Sequence, residues 1–416
     1  MTTRKTVIPL IALIVLMSCD RDKQPEALAR RTCSACHLFP EPSLLDKKTW
    51  QQGVLPEMAL RMGLDISKLP GTSAAELNEI LKALPSNPMI PEQEWEAIQE
   101  YYLRAAPDSL DPAPDPHPVL LTQFTASTVA LPVTKNNLLT MVKRGPSGNV
   151  LIGTRNGKLY GVTESLAVLD SFQLQSAPSD VVFSPGQPPL VACMGIMDPN
   201  DLPAGSIIRP GANPETLIDS IKRPVDVEAA DMNNDGQGDL VVAAFGNFTG
   251  GLYVYEGRGG RYLPHAVHSF PGTRKTIVTD FNGDGLSDIL ALIAQGDEQI
   301  ALFMNRGNFR FSYQILLKFP PVYGSSYFEL ADFNGDGKAD ILYTNGDNAD
   351  YSPILKPYHG VRIFLNNGKN YFREWFFYPM YGASMARALD FDEDGDLDIA
   401  AISFFPDFKR HPEYGF

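Results

Sequence analysis

Four cysteines in 416 residues are too few for a disulfide-stapled scaffold. Basic residues are also scarce: 35 Lys and Arg stand against 49 Asp and Glu, a net charge of −14. Phosphate recognition needs concentrated Lys and Arg, so nucleic acid is excluded as an expected partner. The N-terminal apolar run, Val7 to Met17, has 11 residues, short of the roughly 20 that cross a bilayer. Neither a strand-following Gly-x-Gly-x-x-Gly nor a vicinal cysteine pair is present, so dinucleotide and quinone cofactors have no visible site. What the chain does hold is turn chemistry. Its 34 Gly and 34 Pro favour many short strands over a helical bundle. Hydrophobic residues at 44% and charged residues at 20% mark a folded protein, and the length suggests two or three domains.

Residues 1–18 read as an export signal, with Arg4 and Lys5 ahead of the apolar run. The run ends in Leu16-Met17-Ser18-Cys19, which resembles the lipobox of bacterial lipoproteins. The resemblance implies cleavage before Cys19 and acylation of that residue, hence a lipid anchor in the cell envelope, periplasmic or surface-exposed. Several acyl chains are needed because one gives only marginal membrane binding. Residues 19–25 then form a polar tether.

Cys33-Ser-Ala-Cys36-His37 matches C-x-x-C-H, the attachment signature of c-type haem. Two thiols at this spacing reach the two vinyl groups of one porphyrin, and the next residue offers a proximal imidazole. Zinc would want a second ligand pair, and Cys19 and Cys193 are too remote to give one. A redox dithiol would want a βαβ setting, and the surroundings read helical. A plain disulfide is the remaining alternative. Helices are expected at 25–31, at 46–62 with Asp46 as N-cap and Gly63 as stop, at 73–84 and at 91–105. In the last, Trp95, Ile98, Tyr102 and Ala105 form one apolar stripe. Residues 26–106 resemble a small all-α class I cytochrome c. That resemblance implies a methionine opposite His37. Met58, in a stretch similar to the Trp-x-x-x-Val-x-x-x-Met of small haem domains, leads Met89 and Met62 for the place, and each could instead fill core.

Residues 107–118, with Pro107, Pro112, Pro114, Pro116 and Pro118, read as a stiff linker in which His117 is solvated. The rest, 119–416, is built from repeats. A nine-residue motif recurs as Asp231, Asn233, Asp235, Asp239; as Asp280, Asn282, Asp284, Asp288; as Asp332, Asn334, Asp336, Asp340; and as Asp390, Asp392, Asp394, Asp398. Successive copies are 49, 52 and 58 residues apart. Oxygens at positions 1, 3, 5 and 9, with a carbonyl at 7 and Gly at 6, make the hard cage that suits Ca²⁺. An EF-hand would need Glu at position 12, where Val242, Ala291, Tyr343 and Ala401 stand, and a helix where strands begin. The repeats resemble FG-GAP/VCBS repeats, which implies an all-β propeller with Ca²⁺ in its loops. At about 50 residues per repeat roughly six blades fit, the last cut short or closed by a strand such as Val119–Phe124. Aromatic residues gather in 321–330, 371–381 and 403–415, either as blade core or as a face for a partner or carbohydrate, and Cys193 reads as a buried strand residue.

The leading expectation is thus an envelope-anchored c-type cytochrome that transfers electrons, its propeller docking a dehydrogenase or oxidase. No catalytic residue is expected. The alternatives are a haem-linked dehydrogenase acting on a sugar or alcohol, and a Ca²⁺-dependent binding or adhesion lipoprotein.

Overall fold

The structure is a computed structural model, and it describes residues 24–64, 73–114, 125, 127–132, 138–348 and 354–411. The export signal, Cys19, His117 and the strand expected at Val119–Phe124 lie outside the described residues. The chain divides into two units. One comprises Met1–Pro70, Leu84–Pro112 and Asn348–Lys356; the other comprises Gly71–Ala83, Ala113–Asp347 and Pro357–Phe416. Among the described residues no helix is long and apolar enough to cross a membrane.

The first unit is helical. Helix α1 spans 24–33 and ends at the first thiol of the haem signature. Helix α2 is one continuous run with a wide turn inside it: α over Lys47–Thr49, π over Trp50–Val54, α again over Leu55–Arg61. Pro56 has no N–H to give the carbonyl four residues back, so the loose turn sits where a regular bond is already lost. Asp46 caps the start, its Oδ1 accepting the Thr49 N–H at 2.8 Å. Gly63, at φ 73°, ends the helix. Its N–H bonds the Leu60 carbonyl at 3.0 Å and the Leu64 N–H bonds the Ala59 carbonyl at 2.9 Å, the paired closure that a left-handed residue permits.

Helix α3 covers Ala74–Leu81, shorter than the 73–84 expected, and α4 covers Glu92–Ala105. The apolar stripe of α4 is rotated from its expected line: Tyr101 is buried beside Trp95, Ile98 and Tyr102, while Ala105 is exposed. The Tyr102 ring lies 4.5 Å from that of Trp50, tilted by 47°, and its hydroxyl donates to the Pro40 carbonyl at 2.8 Å. Trp50 Nε1 donates to the Pro42 carbonyl at 2.9 Å. Each aromatic thus buries its ring and satisfies its polar tip.

Expectation placed α3 in the haem domain, 26–106, but it belongs to the second unit. Glu79 pairs with Lys222 at 2.7 Å, and Glu76 accepts the Asp201 N–H at 3.3 Å. Those partners lie more than 100 residues downstream, so local sequence carries no trace of them.

The second unit is a β-propeller. Five antiparallel four-stranded sheets follow in chain order. They are β1–β4 (Leu139–Arg144, Val150–Thr154, Lys158–Val162, Val168–Gln173) and β5–β8 (Pro178–Val182, Leu190–Cys193, Gly205–Arg209, Glu215–Ile221). Next come β9–β12 (Pro224–Ala230, Asp239–Ala244, Gly251–Arg258, Arg261–His268) and β13–β16 (Thr273–Thr279, Asp288–Ile293, Gln299–Asn305, Phe311–Lys318). The fifth is β17–β20 (Ser325–Ala331, Asp340–Asn345, Gly360–Asn366, Phe372–Pro379). A sixth sheet has two strands, β21 (Ala383–Leu389) and β22 (Asp398–Ser403). Strands β10, β14 and β18 are buried at every residue. Each lies between neighbouring blades, which is why they read as unbroken apolar runs rather than alternating ones. Cys193 is fully buried in β6, as expected.

First strands of successive blades are stitched by charge. Asp180 on β5 meets Lys143 on β1 at 2.8 Å and accepts the Val227 N–H of β9 at 3.1 Å. Asp226 on β9 accepts the Thr276 N–H of β13 at 2.8 Å and pairs with Lys275 at 2.7 Å. Glu329 on β17 pairs with Arg387 on β21 at 2.7 Å. Burial, with the nearby Asp226 charge, pushes the Asp180 carboxyl up to about 6.

Candidate functional site

Two sets of residues carry chemistry, and each lies within one unit. In the first, Cys33 closes α1 and the chain turns at once, the Cys36 N–H bonding the Cys33 carbonyl at 3.5 Å. Cys33 is half-buried, Cys36 exposed, and both are free thiols. The Cys33 thiol lies against the Tyr102 hydroxyl; burial pushes its pKa up while that hydrogen bond works the other way. His37 Nδ1 sits 2.8 Å from the Leu38 carbonyl. A carbonyl only accepts, so the Nδ1 proton is fixed and the imidazole lone pair is on Nε2, the arrangement of a metal-binding histidine.

These residues fit a c-type haem. The donor set is two thiols and an oriented imidazole. Leu28, Phe39, Met58, Met62, Leu84 and Ile90 are apolar yet only half-buried, so this unit leaves apolar surface uncovered. Met58 lies on α2 one turn before Met62, and Met89 is exposed, its N–H bonding the Met62 carbonyl at 3.0 Å. Tyr102 as the neighbour of Cys33 was missed by sequence reasoning, which had seen it only as part of an apolar stripe.

The second set is the four Asp-rich loops, each joining the first and second strands of a sheet. The first carboxylate folds its own loop. Asp231 Oδ1 accepts the Asp235 N–H at 3.1 Å and Oδ2 the Gly236 N–H at 2.7 Å. The same pair of bonds recurs at Asp280, Asp332 and Asp390. Position 3 adds a bond to the position-5 N–H from Asn233, Asn282 and Asn334, at 3.0, 2.8 and 3.0 Å. Positions 4 and 6 are left-handed throughout, from Asn234 (φ 58°) and Gly236 (φ 82°) to Glu393 (φ 62°) and Gly395 (φ 98°). Gly at position 6 meets that demand at no steric cost.

Position 9 also braces the blade. Asp239, Asp288 and Asp340 are fully buried and use both oxygens on the backbone. Asp239 accepts the Met232 N–H at 2.9 Å and the Gly257 N–H of β11 at 2.8 Å. Asp288 does the same with Phe281 and Asn305, and Asp340 with Phe333 and Asn366. These three therefore staple loop to third strand. In the fourth loop Asp398 accepts the Phe391 N–H at 2.9 Å, and its carboxylate converges with those of Asp390 and Asp392, ligand atoms within 4.8 Å of one another. Three hard oxygens at that separation fit a Ca²⁺ ion. Asp394 at position 5 accepts the Asp396 N–H at 3.1 Å, as Asp235, Asp284 and Asp336 accept the N–H two residues on.

The family model for an FG-GAP-like repeat matches residues 280–343, the stretch from the second Asp-rich loop into the strand after the third. No curated protein matches the chain. Among solved structures, one described as the structure of Dos1 propeller aligns at a TM-score of 0.40 and 7% identity, over 64% of this chain and 78% of that one. The family match and the five four-stranded sheets place an FG-GAP-like repeat within a β-propeller.

Proposed function

We propose that this protein is an envelope-anchored c-type cytochrome that carries single electrons, with the FG-GAP propeller as its Ca²⁺-stiffened docking body. The observation that carries the reading is His37, whose Nδ1 is tied to the Leu38 carbonyl one residue after the second of two free thiols. A bound haem supplies a one-electron iron couple. Cys33 and Cys36 would hold it covalently, and His37 and Met58 would be its protein ligands, the thioether favouring the reduced metal. The acylated Cys19 keeps the body at the membrane, and the partner is a dehydrogenase or oxidase that exchanges electrons with the module.

The mature protein, exported from a host that assembles c-type haem, tests this by redox-difference spectroscopy. Reduction by an added dehydrogenase, with none by sugars or alcohols alone, supports the carrier; reduction by a sugar or alcohol alone makes the protein an enzyme. Met58→Ala should lower the potential by an appreciable part of the ~0.8 V that axial ligation spans, and admit carbon monoxide to the iron. An unchanged potential transfers the ligand role to Met89 or Met62.

Calcium is tested separately. An ion bound by the folded state alone stabilises by about 2.7 kcal/mol per site at 100 times its Kd. EGTA should therefore lower the melting temperature of the propeller by roughly 5–10 °C. Asp390→Asn should remove part of that response, and a melting curve indifferent to EGTA would dismiss the ion.

A further inference from the structure

We propose that the groove between the second sheet, β5–β8, and the third, β9–β12, binds a neutral sugar unit. Its volume is about 360 Å³, and it is lined by Arg209, Glu215 and Leu217 from one sheet and by Gly238 and Tyr262 from the other. That volume lies at the small end of the roughly 300–1,000 Å³ of ligand clefts. Arg258 and Arg261, which also line it, are exposed at the tip of the β11–β12 hairpin, so the inner lining decides the ligand.

The groove arises where the third sheet departs from the two that follow it. Gly257, Asn305 and Asn366 hold one structural place, since each gives its N–H to the position-9 carboxylate of its own sheet. Asn305 also sends its side-chain amide to the Ser287 carbonyl at 3.0 Å and to the Met232 carbonyl of the preceding sheet at 2.8 Å, bridging two sheets. Asn366 reaches the Ala339 carbonyl at 3.2 Å. Gly257 has no amide to give to the corresponding carbonyl, that of Gly238, and a side chain at 257 would collide with that carbonyl.

The residue across the hairpin changes too. Tyr262 stands opposite Gly257, where Phe311 and Phe372 stand opposite Asn305 and Asn366. Its ring packs on the apolar layer between the two sheets, and its hydroxyl has no hydrogen-bond partner among the described residues. A tyrosine hydroxyl taken from water normally finds one. Arg209 is near enough for its charge to act on that hydroxyl, against the rise in pKa that burial causes. Arg209 is paired with Glu215, directly across the β7–β8 hairpin, through Nη1, and the rest of its N–H fork is unused among the described residues.

This mixture selects the ligand. Arg209 brings spare donors, Glu215 and the Gly238 carbonyl bring acceptors, and the Tyr262 hydroxyl serves as either. Adjacent sugar hydroxyls donate and accept together, and the C–H face of the ring suits Leu217 and the Tyr262 ring. An anion would use the guanidinium and meet the Glu215 charge, and an apolar ligand would leave the polar groups buried without partners. The inference stands on the propeller alone and does not depend on haem, because binding rather than reduction is measured.

The whole mature protein is titrated by calorimetry with glucose, galactose, mannose and the methyl glycoside of each. At least one should bind saturably at 1:1 with a Kd tighter than about 10 mM. Tyr262→Phe, which restores the residue of the next two sheets, should weaken that Kd at least about fivefold. Arg209→Ala, which breaks an exposed ion pair, should do the same, and both variants should melt within about 2 °C of the parent. A methyl glycoside that binds as well as the free sugar makes a glycan terminus the source, and loss on methylation makes the free sugar the source; either supports the site. The proposal is overturned if no sugar binds at about 10 mM, or if both variants bind as tightly as the parent. It is also overturned if acetate or phosphate displaces the sugar, which would make the groove an anion site.

Discussion

Export of a Cys33→Ser, Cys36→Ser double variant in a host competent for c-type haem assembly should give a protein with no covalently bound haem, whereas the parent keeps its colour through acid–acetone extraction. In the proposed attachment the two thiols make the covalent links, so each single variant would retain one thioether and the double variant none. His37→Ala tests a different part. Its thiols still attach haem, but the imidazole held by the Leu38 carbonyl is gone, and the absorbance should change in spin state rather than vanish. A colourless parent protein with the two sulfurs free or bridged to one another would end the electron-carrier reading and leave an FG-GAP propeller.

The second large effect lies in the propeller. Lys275 is held charged: burial works against its proton, but Asp226 and Glu228, at 2.7 and 3.1 Å, outweigh it. Lys275→Ala strands a buried Asp226 carboxylate, and removing one partner of a buried pair typically costs about 3–5 kcal/mol. Thermal unfolding should show a fall on the order of 10 °C; a fall of only a degree or two would mean water replaces the ammonium. Asp180 in the same network gives a pH signature. Its folded pKa, about 6, lies above the ordinary 3.8, so between these values the folded state binds more protons than the unfolded one. Its contribution to stability is therefore fully present below about pH 4 and is lost as pH rises to about 6, by up to roughly 3 kcal/mol. Asp180→Asn should flatten that slope in urea unfolding measured across the window.

Particular residues show where sequence was sufficient. Asp46 and Gly63 bound α2 because capping is a local bond between residues three to five apart, legible wherever the side chain and its backbone partner are close in the chain. The Asp-rich loops announce the strands after them for the same reason: Asp231, Asp280, Asp332 and Asp390 fold their own turns, and the following runs are uniformly apolar. The stripe on α4 was legible in period but not in phase, since Tyr101 and Ala105 exchange places once Trp50 fixes which side of the helix is covered.

The charged stitching between blades had a faint signal that went unread. Pro178-Ser-Asp180-Val and Pro224-Val-Asp226-Val repeat one pattern on two first strands, and both carboxylates reach the next blade. Position 9 of the loops has a second role that its spacing does not announce. Asp239, Asp288 and Asp340 stand at ligand spacing, but their partners include Gly257, Asn305 and Asn366, 17 to 26 residues on, and those bonds exist only when a third strand is in place.

By itself, then, the sequence determined the pieces whose energies are local: the two-thiol, one-imidazole spacing at 33–37, the helix ends, the turn-and-strand unit of each repeat. The tertiary structure alone decided what happens between distant segments: that α3 joins the propeller through Glu79 and Lys222, that the position-9 carboxylates are staples, and that Asp180, Asp226 and Lys275 form one buried network. A buried charge is settled by whichever opposite charge or N–H the folded chain brings within 3 Å, and no short window of sequence contains both.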